Sequence, residues 1–388
     1  MSPTPINNRI ADLVPEVTAW RHDFHAHPEI LYDVERTAGR VAELLRSFGV
    51  DEVATGLGRT GVVGIIRGNR PGRTIGLRAD MDALPMTEET GLPYASTVPG
   101  RMHACGHDGH TAMLLGAAKY LAETRDFAGT VALIFQPAEE GGAGGLAMAK
   151  DGLFERWPIE KVYALHNMPG VEEGRVQTTP GAIMASADFF EITITGKGGH
   201  AAWPHNCADP IVAAGQMLSA MQAIVARNAD PLKAAVISVT QIAGGTANNV
   251  IPDSVKMGGT IRTLDKATHA MVTRRVGEVV EGIAAALGVK AEVSIHAITG
   301  VVVNDPKEVE LCASVAAGLF GADKVETDMT PLMGGDDFSY MSDLKPACYV
   351  FMGNGDSAAL HTTGYNFNDN IIPLGISYWV RLAQSATV

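Results

Sequence analysis

Cysteine is scarce in this 388-residue chain: Cys105, Cys207, Cys312 and Cys348 are scattered and form no Cys-x-x-Cys pair. That spacing excludes a disulfide framework, so three of them read as small core or subsurface residues, with Cys105 set apart by its neighbours. Basic charge is also short. Lys and Arg number 30 against 43 Asp and Glu, for a net charge of -13, and no basic cluster offsets it, which argues against a nucleic-acid partner. No apolar run reaches about eighteen residues, which argues against a membrane span. The opening residues hold no basic stretch followed by an apolar one, so no signal peptide is expected and a cytoplasmic location is. Nowhere is there the polar, low-complexity composition of disorder.

What is present describes an ordinary globular protein, 46% hydrophobic and 19% charged, with 43 glycines that imply many tight turns and close backbone approaches. The length exceeds what one core usually supports, so two domains are expected. Apolar spacing predicts helices over 10–24 and 35–48, short strands at 62–68 and 74–80, and a helix over 110–122. A buried strand runs through GTVALIFQPAEE at 129–140 and another through VYALHN at 162–167. Strands alternating with helices and ending in polar residues are the α/β pattern, whose ligands gather at the carboxyl edge of the sheet.

Near Pro180 the pattern changes. DFFEITITGKGG alternates apolar and polar residues, and the elements that follow to residue 299 read β-α-β-β-α-β, a two-layer α+β unit of ferredoxin type. A helix at 307–320, a glycine-rich turn at 333–335 and a strand at 347–353 then return to α/β character. The expected fold is therefore an α/β, mixed-sheet catalytic domain in two segments, 1–183 and 298–388. A smaller ferredoxin-like domain, 184–297, is inserted between them.

The densest chemistry lies at 101–114, RMHACGHDGHTAML, where Cys105 stands among His103, His107 and His110. Farther on come the adjacent Glu139 and Glu140, then His166 in LHNMPG and His361 in ALHTTG. Thiolate, imidazole and carboxylate in such density suit a divalent-metal hydrolase centre. His107, two positions after Cys105, is favoured as a ligand, and His103 and His110 as bracing or structural residues. Glu139 and Glu140, in an extended segment, would point apart, one binding metal and one free to take a proton; spacing does not say which. Asp80, in RADMDALP, is a candidate to orient a ligand imidazole, or else a turn residue. Asp336 and Asp337 are alternative braces. His200, Asn249 and Arg262 lie in the smaller domain, as candidates for oxyanion and carboxylate binding or as ordinary turn and strand residues.

RHDFHAHPEI, RADMDALP, HACGHDGHTAMLLGAA, QPAEEGGAG, ALHNMPG, GKGGHAAWPH, GGTANNVIPD, GTIRTLD and GGDDFSY, in this order over roughly residues 16–380, resemble the M20 metallopeptidases. Within them the chain looks most like the branch of hippurate hydrolases, N-acyl-L-amino-acid amidohydrolases and auxin–amino-acid conjugate hydrolases. The resemblance implies two divalent metals, zinc or manganese, with cobalt or nickel also compatible. It implies Cys105, His107, Glu140, His166 and His361 as ligands, Glu139 as general base, and His200 and Asn249 as substrate- and transition-state-binding residues. Other branches carry His-x-Asp at the first strand end. Here Arg78-Ala79-Asp80 stands there, so the histidine's role would pass to His107 and the bridging role to Cys105. The implied substrate is a small N-acyl amino acid, and the implied assembly a homodimer or homotetramer through the inserted domain. A carboxypeptidase, a dipeptidase or a toxin- or hormone-conjugate amidase would use the same centre. A non-catalytic metal-binding or ligand-sensing module is the contrasting class; it has no need of Glu139.

Overall fold

The computed structural model describes residues 7–388; residues 1–6 of the expected first segment lie outside them. The chain divides into two compact units. The larger ends its first segment at Ile183 and takes back Val302–Thr330 and Asp337–Val388; the smaller comprises Met184–Val301 and Pro331–Asp336. The inserted unit thus ends at 301 rather than 297, because the strand Lys290–Thr299 carries the smaller sheet past the expected boundary. Pro331–Asp336 rejoins it through backbone bonds from Ala185 N–H to the Leu332 and Gly334 carbonyls.

In the larger unit an eight-stranded sheet has four parallel strands at its centre, in the order Ala128–Gln136, Arg70–Asp80, Lys161–Met168, Ala347–Gly353. Gly61–Arg67 and Glu52–Leu57 extend one side in antiparallel fashion, and Val176–Gln177 and Val325–Glu326 extend the other. Residues 131–135 are all fully buried. Because side chains alternate faces along a strand, an unbroken buried run means that both faces of the sheet are covered. The helices Asn8–Ala26, Glu35–Ser47, His107–Thr124 and Ile372–Ala386 supply much of the core. The four central strands point the same way, so Asp80, Gln136, Met168 and Gly353 end at one edge.

The smaller unit is a four-stranded antiparallel sheet, ordered Ala235–Gly244, Ser254–Thr263, Ser186–Thr195, Lys290–Thr299. The helices Pro210–Arg227 and Lys266–Leu287 close its core, with Phe190, Ile192 and Ile194 meeting Met217, Met221, Val272 and Val276. Chain order and strand order together are those of the ferredoxin type. Among the described residues no helix is long and apolar enough to cross a membrane.

Candidate metal centre

The carboxyl edge of the large sheet begins with a buried charge. Arg78 donates from Nη1 to Asp80 Oδ2 at 2.7 Å, from Nε to Gln136 Oε1 at 3.0 Å and from Nη2 to Asp337 Oδ1 at 3.1 Å. Asp337 Oδ2 also accepts the Gly145 N–H at 2.8 Å. A buried guanidinium needs such partners, and these tie two strand ends to the turn beyond them. Asp80 Oδ1 lies 2.7 Å from His110 Nδ1, and His110 Nε2 accepts the Asn167 N–H at 3.0 Å. Nε2 also lies 2.7 Å from Asn167 Oδ1, so His110 has both ring nitrogens engaged within the protein. The Asn167 amide in turn reaches the Tyr365 hydroxyl at 2.6 Å. Burial opposes ionisation of Asp80, but His107, Arg78 and His110 outweigh it and hold the carboxyl well below its ordinary range.

His107 opens its helix three residues earlier than the apolar period suggests, because Gly106 turns the chain at φ 89. A Cβ there would lie 2.3 Å from Asn167 Oδ1, so only glycine fits. His107 Nδ1 donates to the Asp82 carbonyl at 2.8 Å, which leaves Nε2 buried without a hydrogen-bond partner among the described residues. His166 is fixed in the same manner, Nδ1 on the Asn167 carbonyl at 2.7 Å and Nε2 presented to Cys105 Sγ at 3.4 Å. A ring pinned through Nδ1 by a carbonyl is the arrangement that orients a metal-ligating imidazole. His361 holds a strained φ of 60, its N–H on the Ala104 carbonyl at 2.8 Å and its Nε2 3.3 Å from Glu140 Oε1.

Glu139 and Glu140 differ from expectation. The strand ends at Gln136, Pro137 brings no N–H, and Ala138 sits at φ 55, so the carboxylates lie in a turn rather than an extended segment. Their side chains therefore do not point apart: His107 Nε2 is 3.9 Å from Glu139 Oε2 and 4.0 Å from Glu140 Oε1. The turn is held by Asp82, whose two carboxylate oxygens accept the Glu139 and Glu140 backbone N–H groups at 2.9 and 3.1 Å.

Ligand atoms gather within 4.8 Å of one another in overlapping sets: Cys105, His107 and His166; Cys105, Glu140 and His361; His107, Glu139 and Glu140. Cys105 belongs to two of them. Burial, then Glu140, raises the Cys105 thiol. Hydrogen bonds with Cys105 and then Glu140 hold His361 up to about 10. Burial opposes protonation of His107, yet Asp80 and Cys105 keep it well above the usual range. The cluster thus draws positive charge onto two imidazoles. His107 Nε2, buried and without a hydrogen-bond partner among the described residues, faces a thiol at ligand spacing. Sulfur, nitrogen and oxygen donors so placed fit a divalent cation, whose charge would replace those protons.

Other candidates lie elsewhere. His103 is buried with neither ring nitrogen hydrogen-bonded among the described residues, and burial takes it down to about 3. In the smaller unit a two-residue ribbon pairs Gly199–His200 with Val250–Ile251, bringing His200 beside the Asn249 segment. His200 Nδ1 accepts the Ala202 N–H at 3.1 Å, and the Asn249 carbonyl accepts that of Ala201 at 3.0 Å. Arg262 is half-buried, donates weakly to the Ile261 carbonyl at 3.4 Å, and has its pKa lowered by burial. Of the two aspartates of RADMDALP the sequence favours Asp80 over Asp82, and it gives no signal for Asn167 and Tyr365 as supports, because their partners are distant in the chain. RADMDALP contained the one available signal, a second aspartate two residues after Asp80.

Residues 76–385 match the model of peptidase family M20/M25/M40. The chain is 41% identical over 374 residues to a hippurate hydrolase of Campylobacter jejuni subsp. jejuni, covering 96% of this chain and 97% of that one. It is 38% identical to an N-acetylcysteine deacetylase of Bacillus subtilis, with 94% of each covered. Its fold superposes with a TM-score of 0.84 on a dinuclear metal binding peptidase of family M20 from Bacillus subtilis, 34% identical, covering 97% of this chain and 100% of that one.

Proposed function

Because the chain belongs to peptidase family M20/M25/M40, we propose that it is a binuclear amidohydrolase that cleaves N-acyl-L-amino acids to a carboxylate and a free amino acid. It is a metal-dependent hydrolase of amide bonds. The observation that carries the reading is the convergence of Cys105, His107, Glu140, His166 and His361 on one sheet edge with Glu139 beside them. Relatives at about two-fifths identity are named for hippurate and for N-acetylcysteine, both N-acyl amino acids.

One metal would be held by Cys105, His107 and His166, and the second by Cys105, Glu140 and His361. Thiolate and imidazole suit zinc; manganese, cobalt and nickel also accept this donor set. Bound there, the metals supply polarisation of the acyl carbonyl and a lowered pKa for the attacking water. Glu139 takes the proton of that water and returns it to the departing amine nitrogen. His200 donates a hydrogen bond to the developing oxyanion, a contribution of about 3 kcal/mol. Asn249 or Arg262 receives the substrate carboxylate, for which arginine offers a forked pair of donors. Asp80 acts through His110, to which its Oδ1 is bonded, while Arg78 holds its Oδ2.

The smaller unit supports assembly as a homodimer or homotetramer. Ala235–Gly244 is an edge strand with Ile242 58% exposed, and the helix Pro210–Arg227 exposes Ile211, Val212 and Leu218. Unpaired strand edges with apolar neighbours are templates for pairing. The free thiols suit a reducing, cytoplasmic setting.

The test is amino-acid release from N-acetyl, N-benzoyl, N-fatty-acyl and indoleacetyl amino acids and from dipeptides, using chelated protein reloaded with zinc, manganese, cobalt or nickel. Metal-restored release from N-acyl amino acids is expected. Release from dipeptides alone moves the assignment to a dipeptidase or carboxypeptidase, and metal binding without release from any substrate moves it to a binding module.

A further inference from the structure

RHDFHAHPEI closes the first helix of the larger unit, yet none of its side chains belongs to the proposed ligand set. Its Arg21 is fully buried. The guanidinium lies 3.3 Å from Asp108 Oδ2 through Nη1, and reaches Asp369 at 2.9 Å through Nε and 3.2 Å through Nη2. The Tyr94 ring covers it at 4.5 Å. His25 Nδ1 adds a 2.8 Å bond to Asp108, and His22 Nε2 a 2.7 Å bond to Asp369.

The two carboxylates come from the two segments that carry opposite ends of the metal centre. Asp108 follows His107 directly, in the first turn of its helix. Asp369 closes the segment that starts at His361. That segment holds His361 at a φ of 60, a strained value for a residue with a side chain, and such strain persists only where the surroundings over-determine it. Two contacts help, the Tyr365 hydroxyl on Asn167 and the Phe367 ring against Gly109. Arg21 is bonded to both segments at once, and a buried guanidinium enforces its geometry because losing one carboxylate leaves charge uncompensated.

Resting on the ligand set proposed above, we propose that Arg21 is a positioning residue for the metal centre: by bridging Asp108 and Asp369 it sets the spacing between His107 and His361. Metal held between these segments is then bound tightly only while the bridge is intact.

The experiment compares the parent with Asp369→Asn, Arg21→Met and Arg21→Lys, each chelated and titrated with zinc alone, well below its melting temperature. Asp369 is partly exposed, so Asp369→Asn severs the bridge with the smaller risk to folding. The parent takes up two equivalents. Asp369→Asn and Arg21→Met should bind one equivalent like the parent and the second at least tenfold more weakly. At limiting zinc their kcat should fall at least tenfold and recover when zinc is raised, with KM within twofold; Arg21→Lys should lie between. A second equivalent as tight as the parent's in either folded variant overturns the proposal. So does an Asp369→Asn chain that fails to fold, because the cluster is then only a stability element. A parent that takes up no zinc overturns the ligand reading itself, and the bridge with it.

Discussion

Asp82 holds Glu139 from below: its Oδ1 accepts the Glu139 backbone N–H at 2.9 Å, while its second oxygen takes that of Glu140 at 3.1 Å. One buried carboxylate thereby fixes the turn that carries both the proposed base and a proposed metal ligand. Asp82→Ala leaves two N–H groups without their acceptor, each worth about 1–3 kcal/mol when buried. The expected result is a lower melting temperature, and a kcat reduced at least tenfold in protein that is still folded at the assay temperature. Steady-state kinetics with a parallel thermal melt check it.

His25 sets an alkaline limit on stability. Burial alone would lower its imidazole, but Asp108 at 2.8 Å and Glu88 at 3.2 Å outweigh that and hold it up to about 9. A histidine in the unfolded chain titrates near about 6.5. The folded form binds this proton more tightly, so the stabilisation is complete below about 6.5 and is lost as pH rises through about 9. The melting temperature of the parent should fall between those values and level off above them, and His25→Gln should flatten the fall. Parallel slopes in the two proteins would contradict the protonated assignment.

Gly109 is required by a neighbour rather than by its own backbone angle. A Cβ there would meet the Phe367 ring at 2.2 Å, and an aromatic ring cannot yield like a flexible chain end. Gly109→Ala should cost about 1–3 kcal/mol. Gly277, inside the helix Lys266–Leu287, has nothing within 4 Å of the corresponding position. Gly277→Ala should stabilise by about 0.5–1 kcal/mol through helix propensity. Chemical denaturation of the pair gives opposite signs if both environments are as described.

Ile242 lies 58% exposed on the edge strand of the smaller unit. Ile242→Lys should yield monomers by light scattering, with secondary structure retained. A parent that is itself monomeric at micromolar concentration would contradict the proposed assembly.

The large sheet was legible because its central strands are continuous apolar runs such as VALIF, which only a doubly covered strand tolerates. The inserted unit was legible for the opposite reason: DFFEITIT alternates, with Phe190, Ile192 and Ile194 buried and Glu191 exposed. The turn at Glu139 and Glu140 was not legible. GTVALIFQPAEE looks like one strand; it breaks at Pro137 and Ala138, and what holds the resulting turn is Asp82, 57 residues before Glu139. The same holds for Arg21, whose partners lie 87 and 348 residues away. Local pattern reports which face of an element is buried, and long-range hydrogen bonds decide where a functional side chain points. The start of the helix at His107 was displaced because His107 and Gly109 interrupt the apolar period that Met113 and Leu114 carry.

Glu139→Gln tests the central claim most directly, because it removes the proton acceptor while keeping the side chain's size and the surrounding ligand set. Metal content by mass spectrometry and amino-acid release from an N-acyl amino acid would be measured on the same preparation. The account predicts the parent's metal content with turnover reduced at least a thousandfold. Turnover within tenfold of the parent, at equal metal content, would contradict Glu139 as the base.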